Sequence, residues 1–490
     1  MPVSANRPAR VGLIQAPAFF PGTPPGSLAL LSAHLKRSGL AHFVRDSSLS
    51  LRRRLGVPRA APDGRLQDAN DLIASIKNDP RRLDAALNEE VEAILADEPD
   101  IVGFSVLVGT EEMSLDMAAR IKRESPRTAV VFGGAQCLRD TLAEDMASSG
   151  PVDAVALGEA DASLAAFARA FRPGSKSLPK LPGFLVRERG RVTDCGDAPE
   201  TKSLDDLPFM DFDGFPAQDY DGYFYLNASR GCVRKCAFCT HILQQKFYRS
   251  MSAPRIAAEI RHQFERRPEC DFMMFGDSLI NGNVRVLSEL SILLAQFRAE
   301  IRTRNPARDF GWGAMAIVHK TMTPGLLKTL RQGGCQTLIY GLESGSQRVV
   351  RLMNKNFSVP DAEDVLRATK ATGILPGLFL MVGFPGEREE DFQETLAFVR
   401  RNAPFIGQIS TSLCDVPKGS ALDAHPERYG LKMPVRDRLR WESADGSNTY
   451  AVRQERHARL TRLVQSLAIP LNAPTVRILN QAPRAPARAN

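Results

Sequence analysis

The chain has 490 residues and a mass of 53.8 kDa, enough for about three domains at ~150 residues each. Its 43% hydrophobic and 24% charged residues exclude a mainly disordered, collagen-like or coiled-coil chain, and its net charge of +8 is scattered rather than gathered into a tail, which argues against nucleic acid as a partner. No apolar run approaches the ~18 residues that span a bilayer, and the stretch from Val11 to Ala18 is too short and Pro-bounded for a signal peptide, so a cytoplasmic protein with no membrane partner is expected.

From Arg10 onward, short buried-type runs at Val11–Gln15, Ile101–Val106, Ala129–Phe132 and Ala154–Leu157 alternate with helical patterns, which predicts a doubly wound α/β domain over 8–172. A helix is expected from Ser27 to Gly39, and a charged, mostly helical insertion on the sheet edge at about 51–96. A linker over 173–219 contains a hairpin turning at Gly190 and the acidic segment LDDLPFMDFDGF. Six further strand signals, at Tyr223–Asn227, Phe272–Phe275, Gly311–Ala316, Thr337–Gly341, Gly377–Val382 and Gly407–Ser412, predict a partial (β/α)6 barrel over 220–425, whose chemistry belongs at the carboxyl ends of the strands. A helical region follows over 426–480, its helix running from about Val435 to Ile469, and 481–490 is expected to be a disordered tail.

Eight cysteines in a cytoplasmic chain argue against a disulfide framework. Five are scattered singly, whereas SRGCVRKCAFCTH sets Cys232, Cys236 and Cys239 as C-x3-C-x2-C directly after the first barrel strand. Three thiolates on one loop can hold three irons of a 4Fe-4S cubane and leave the fourth iron open to a chelating ligand. By spacing alone, zinc with His241 as fourth ligand stays open.

Around this loop the chain resembles the radical S-adenosylmethionine (SAM) superfamily. The resemblance rests on the cysteine spacing with Phe238 before the third cysteine, on FMMFGDSLIN with Asp277, on the G-x-E-S-G turn at Gly341–Gly345, and on FLMVGFPGEREEDF. It implies a 4Fe-4S cluster on Cys232, Cys236 and Cys239, with SAM held by Phe238, Asp277, Glu343, Ser344, Gly383, Pro385 and Gly386. Residues 8 to 170 resemble the cobalamin-binding domain that precedes the barrel in one branch of the superfamily. That likeness implies a corrinoid lined by Pro25, Gly26, Ser105, Leu107, Val108, Gly133, Gly134, Gly158 and Glu159, at the strand ends where open α/β sheets bind ligands. No D-x-H-x-x-G occurs, so no histidine is offered as lower axial ligand.

The resemblance departs at Val233, where relatives often carry Pro, and in WGAMAIVHK, which lacks an Arg common there. His241, His319 and Cys414 stand near strand ends, but a lone residue there is more often packing than chemistry, and no catalytic acid or base is assigned. The family implies an enzyme in which the cluster delivers an electron to SAM, releasing methionine and a 5′-deoxyadenosyl radical, while cobalamin carries a methyl group to an unactivated carbon of a small-molecule or peptide natural product. A flavodoxin- or ferredoxin-type electron donor is implied as partner. Cyclisation, rearrangement or oxidation without methyl transfer is the alternative chemistry, and a non-catalytic corrinoid or cluster sensor is the alternative of another class. An RNA methylthiotransferase is disfavoured, because its three-cysteine amino-terminal domain and carboxyl-terminal RNA-binding barrel are not visible.

Overall fold

The computed structural model describes residues 7–17, 22–57, 79–139, 141–175, 177–220 and 223–471. The chain divides into two compact units, Met1–Tyr225 and Leu226–Asn490. In the first unit, β1 (Val11–Gln15), β2 (His42–Asp46), β3 (Ile101–Ser105), β4 (Ala129–Gly133) and β5 (Ala154–Ala156) pair in parallel in the order β2-β1-β3-β4-β5. This is the doubly wound sheet the alternation predicts, with its switch point between β1 and β3. Strands β1 and β3 are buried throughout, which is why they read as unbroken apolar runs.

Strand β2 was not foreseen. It lies at the sheet edge, four of its five residues are only half-buried, and HFVRD carries two charges. Its presence corrects the account of the expected insertion. Helix Pro80–Leu95 buries Leu87, Val91 and Ile94 and lies on the crossover between β2 and β3 rather than elaborating the edge, while residues 58–78 fall outside the described ones. The hairpin assigned to the linker also joins the sheet. β6 (Phe184–Glu188) runs antiparallel to β5 and pairs with β7 (Arg191–Asp194) through Arg189 and Gly190, both at positive φ, as a two-residue primed turn requires.

In the second unit the sheet order is β15-β14-β13-β12-β11-β8, formed by β8 (Tyr223–Leu226), β11 (Phe272–Phe275), β12 (Gly311–Ala316), β13 (Cys335–Glu343), β14 (Leu375–Val382) and β15 (Gln408–Leu413). Each neighbouring pair from β11 to β15 is parallel. A short antiparallel ribbon, β9 (Ser229–Arg230) with β10 (Arg249–Ser250), closes the base of the cysteine loop. Three of the intervening helices start by one device. Ser252, Thr323 and Ser358 each accept a hydrogen bond from a backbone N–H in the first turn, and a proline with its preset φ sits at the first or second helical position.

The helix expected from Val435 begins only at Tyr450 and ends at Ser466. Before it, Asp437 accepts from the backbone N–H of Leu439 and Arg440, and Asp445 from that of Ser447, local bonds that compete with a helical ladder. Arg453 then claims two carbonyls of this stretch: its fully buried guanidinium donates to Leu439 O at 2.7 Å and Trp441 O at 2.8 Å while stacking 3.8 Å from the Trp441 ring centre. Residues 472–490, including the expected tail, lie outside the described ones. Among the described residues no helix is long and apolar enough to cross a membrane.

Candidate active site

The second unit holds an open cleft with about 800 Å³ of empty space, mouth included, at the carboxyl end of its parallel sheet. One wall carries Cys232, Cys236, Cys239, Phe238, Arg234 and His241; the other is apolar, with Met315, Ile317, Val318, Ile339 and Phe379. Glu343 and Lys355 complete it as an ion pair at 2.9 Å, with side chains only 12% and 10% exposed. The Lys355 ammonium also stands 5.7 Å from the centre of the Phe238 ring. Glu343 is held at a positive φ of 67° beside a register shift between β13 and β14, a backbone strain that turns its carboxylate out of the ladder.

Burial pushes the Cys236 thiol up to about 11 and raises Cys239 too; Lys355 opposes the shift, and the neighbouring cysteines add to it. Such thiols become thiolates when a cation takes the place of their protons. Among the described residues no three His, Cys, Asp or Glu side chains converge on a point that a single ion would occupy. A mononuclear zinc site is therefore not preformed, and His241 instead has its Nδ1 3.3 Å from Ser278 Oγ. In a cubane each thiolate meets a different iron, so three cysteines spread along one wall are the arrangement it uses.

The remaining expected SAM residues do not gather in this cleft. Asp277 is 2% exposed and lies behind the loop, where it accepts from Ala228 N at 3.0 Å and from the Ser229 hydroxyl, and burial raises its pKa to about 6. Its carboxylate is spent on the stem of the cysteine loop. Ser344 is fully buried, 3.1 Å from Thr395 Oγ1, and its Oγ accepts from Ser346 N. At Gly383 a Cβ would come 2.3 Å from Arg453 Cγ, so this glycine makes room for the carboxyl-terminal helix. Pro385 is buried, while Gly386 is exposed, its carbonyl accepting from Arg348. His319 turns to Thr321 Oγ1 at 2.9 Å, and Cys414 is fully buried. Lys355 has no sequence signal of its own: nothing in a lone lysine twelve residues beyond Glu343 shows that the chain returns it to the same cleft.

In the first unit the residues expected around a corrinoid all stand at or just beyond the carboxyl ends of β1, β3, β4 and β5. Ser27 Oγ, next to Pro25 and Gly26, is 3.1 Å from Ser105 Oγ, and Val106 N donates to Gly133 O at 2.6 Å, so three of these loops touch. Leu107 leads to Val108, which is 58% exposed, and Gly158 with Glu159 opens the loop after β5. At Gly134, with a φ of 102°, a Cβ would meet Val106 O at 2.8 Å and Val106 N at 2.9 Å, so the neighbouring loop by itself demands glycine there.

Residues 226–399 match the Radical SAM superfamily. The chain is 26% identical over 325 residues to the uncharacterized methyltransferase PH0819 of Pyrococcus horikoshii, covering 65% of this chain and 68% of that protein. It is also 26% identical over 279 residues to the tRNA-2-methylthio-N(6)-dimethylallyladenosine synthase of Halorhodospira halophila, covering 55% of each. Among solved structures, the radical SAM methyltransferase TsrM from Kitasatospora setae, with cobalamin and a [4Fe-4S] cluster bound, superposes with a TM-score of 0.65 at 14% identity, over 96% of this chain and 94% of that one. The cobalamin-dependent SAM radical enzyme OxsB gives 0.58 at 16% identity, over 81% of this chain and 52% of its own. At these identities the two structures share a fold with this chain. The match to the Radical SAM superfamily thus falls on residues 226–399, the stretch that carries the three cysteines, Glu343 and Lys355.

Proposed function

We propose that the protein is a cobalamin-dependent radical SAM methylase acting on an unactivated carbon of a small-molecule or peptide substrate. The observation that carries the proposal is the meeting of three thiols with the Glu343–Lys355 pair in one cleft at the carboxyl end of a parallel sheet. The donor set fits a 4Fe-4S cluster: three cysteines line the cleft, and a cubane held by three protein thiolates leaves one iron for the amine and carboxylate of SAM. When bound, the cluster supplies the electron that opens the sulfonium, and cobalamin supplies the methyl carrier.

The chain's own groups orient and enclose. Glu343 would accept a hydrogen bond from the amine of SAM and Lys355 would donate to its carboxylate, so the ion pair keeps an acceptor and a cation in place for the two groups. The apolar wall of Ile317, Val318, Ile339 and Phe379 excludes water. Asp277 fixes the stem of the cysteine loop. For the corrinoid, exposed Val108 beside Gly109, and Gly158 with nothing within 4 Å of its Cβ position, leave apolar surface and open backbone for a broad flat ligand. The fold shared with TsrM and OxsB supports this assignment. All eight cysteines are free, as a reducing cytoplasm would keep them.

The test supplies SAM with a trideuterated methyl group to the reconstituted enzyme and substrate. Near-equal 5′-deoxyadenosine and S-adenosylhomocysteine, with all three deuteriums in the product, is the expected result. Deoxyadenosine without S-adenosylhomocysteine, and an unlabelled product, would refute methylation in favour of cyclisation, rearrangement or oxidation.

A further inference from the structure

The charges that line the cleft do not balance. Among the described residues its lining holds one carboxylate, Glu343, and Lys355 already pairs with it at 2.9 Å. Arg234, half-buried and placed between Cys232 and Cys236 in the chain, is the cation left over: its guanidinium has no carboxylate or carbonyl partner among the described residues. The loop does not need that side chain to hold a cysteine, because it is the backbone N–H of Arg234 that donates to Cys232 Sγ at 3.4 Å. Asn356 lines the same cleft, exposed and likewise unpartnered among the described residues. Its segment is tied to the loop of Arg234, since Asn354 Nδ2 donates to Lys235 O at 2.7 Å. The other wall, with Ile317, Val318 and Phe379, is apolar.

We infer that Arg234 and Asn356 form a subsite for a carboxylate of the substrate, and that the substrate class is an apolar organic acid whose body lies against Ile317, Val318 and Phe379. This assignment rests on the reading of the cleft as the place of the cluster and SAM. A guanidinium presents a planar fork that takes both oxygens of a carboxylate, and a carboxamide N–H beside it adds a further donor. Apolar surroundings strengthen such a pair by keeping water and its dielectric away. The match is to a monoanion: Lys355 is committed to Glu343 and to the cofactor, so a second negative charge would find no cation. A neutral analogue would leave the guanidinium unpaired in the filled cleft, which is how a polar subsite rejects compounds that lack its partner group.

The experiment is equilibrium dialysis of radiolabelled 3-phenylpropionate and 3-phenylpropionamide against the anaerobically reconstituted full-length chain, with its cluster oxidised and SAM saturating. The wild type should bind the acid about tenfold or more tightly than the amide. Arg234→Gln should remove that preference, Arg234→Lys should keep part of it as a charge without the fork, and Asn356→Ala should weaken the acid but not the amide. 2-Phenylethyl phosphate should bind the wild type less tightly than the acid does. Equal binding of acid and amide by the wild type, or binding of neither, would overturn the subsite without any variant having to fold. An acid preference that survives Arg234→Gln would overturn it too, as would tighter binding of the phosphate. A fall in SAM affinity in Arg234→Gln with the acid preference intact would assign the guanidinium to the cofactor instead. A wild type that holds neither about four irons nor SAM would overturn the reading of the cleft itself.

Discussion

Replacing Asp277 by Asn separates a positioning role from contact with SAM. Burial lifts this carboxyl from 3.8 to about 6, against the opposing bonds from Ser229 and Ala228. A folded-state pKa above the unfolded one means that the native state holds the proton more tightly, so the contribution is fully present below about pH 4 and is lost as the pH rises through 6. With those two values, ionisation costs the fold about 2 kcal/mol at pH 5 and about 3 kcal/mol at pH 7.5. Asn does not ionise and keeps an acceptor for Ala228 N. Relative to the wild type, Asp277→Asn should therefore gain about 1 kcal/mol between pH 5 and pH 7.5, or about 2–4 °C in apparent melting temperature for a unit of this size. Asp277→Ala should behave differently, because it strands the buried Ala228 N–H and Ser229 hydroxyl at about 1–3 kcal/mol each. That loss loosens the stem before Cys232, so iron content after anaerobic reconstitution should fall in the Ala variant and hold in the Asn variant. Differential scanning fluorimetry at the two pH values and colorimetric iron analysis read both effects. A melting difference between Asn variant and wild type that does not change with pH would refute the buried, proton-sharing carboxylate. Equal iron in the Ala variant would refute the positioning role.

Replacing Cys232, Cys236 or Cys239 by Ala should abolish reductive cleavage of SAM, and the triple replacement should leave no full cluster, as Mössbauer spectra and iron counts would show; a full complement of about four irons in the triple variant would contradict the ligand assignment. Lys355→Ala should weaken SAM binding about tenfold or more, by equilibrium dialysis with reconstituted protein, while leaving iron content unchanged, because it removes a charge-assisted bond but no ligand. Gly134→Val should destabilise the first unit by forcing a side chain into the Val106 backbone, whereas Gly158→Ala, at a φ of 65° with open space around it, should cost only about 1 kcal/mol; thermal melts compare the two. Hydroxocobalamin retention after desalting should survive Gly158→Ala, and its loss there would show that the corrinoid needs that bare backbone.

The amino-acid sequence by itself determined whatever is written in contiguous residues. Parallel strands buried on both faces appear as unbroken apolar runs, so β11 and β12 fall on the expected residues. The three cysteines are legible for the same reason, since their chemistry depends on spacing within one loop. Tertiary structure decided what depends on neighbours far away in the chain. Edge strand β2, half-exposed and charged, carried no periodic signal, and without it the crossover helix Pro80–Leu95 looked like an insertion. A glycine, a serine or an aspartate in a motif shows only that something there needs its small size or its polar atoms. Whether that something is a ligand or the protein itself is set by packing. Arg453 fills the space beside Gly383, the Val106 backbone fills that beside Gly134, and the stem of the cysteine loop takes the carboxylate of Asp277. Only the fold brings Lys355 to Glu343, because an ion pair twelve residues apart across a turn and a short helix depends on where the chain comes back, not on which residues lie between.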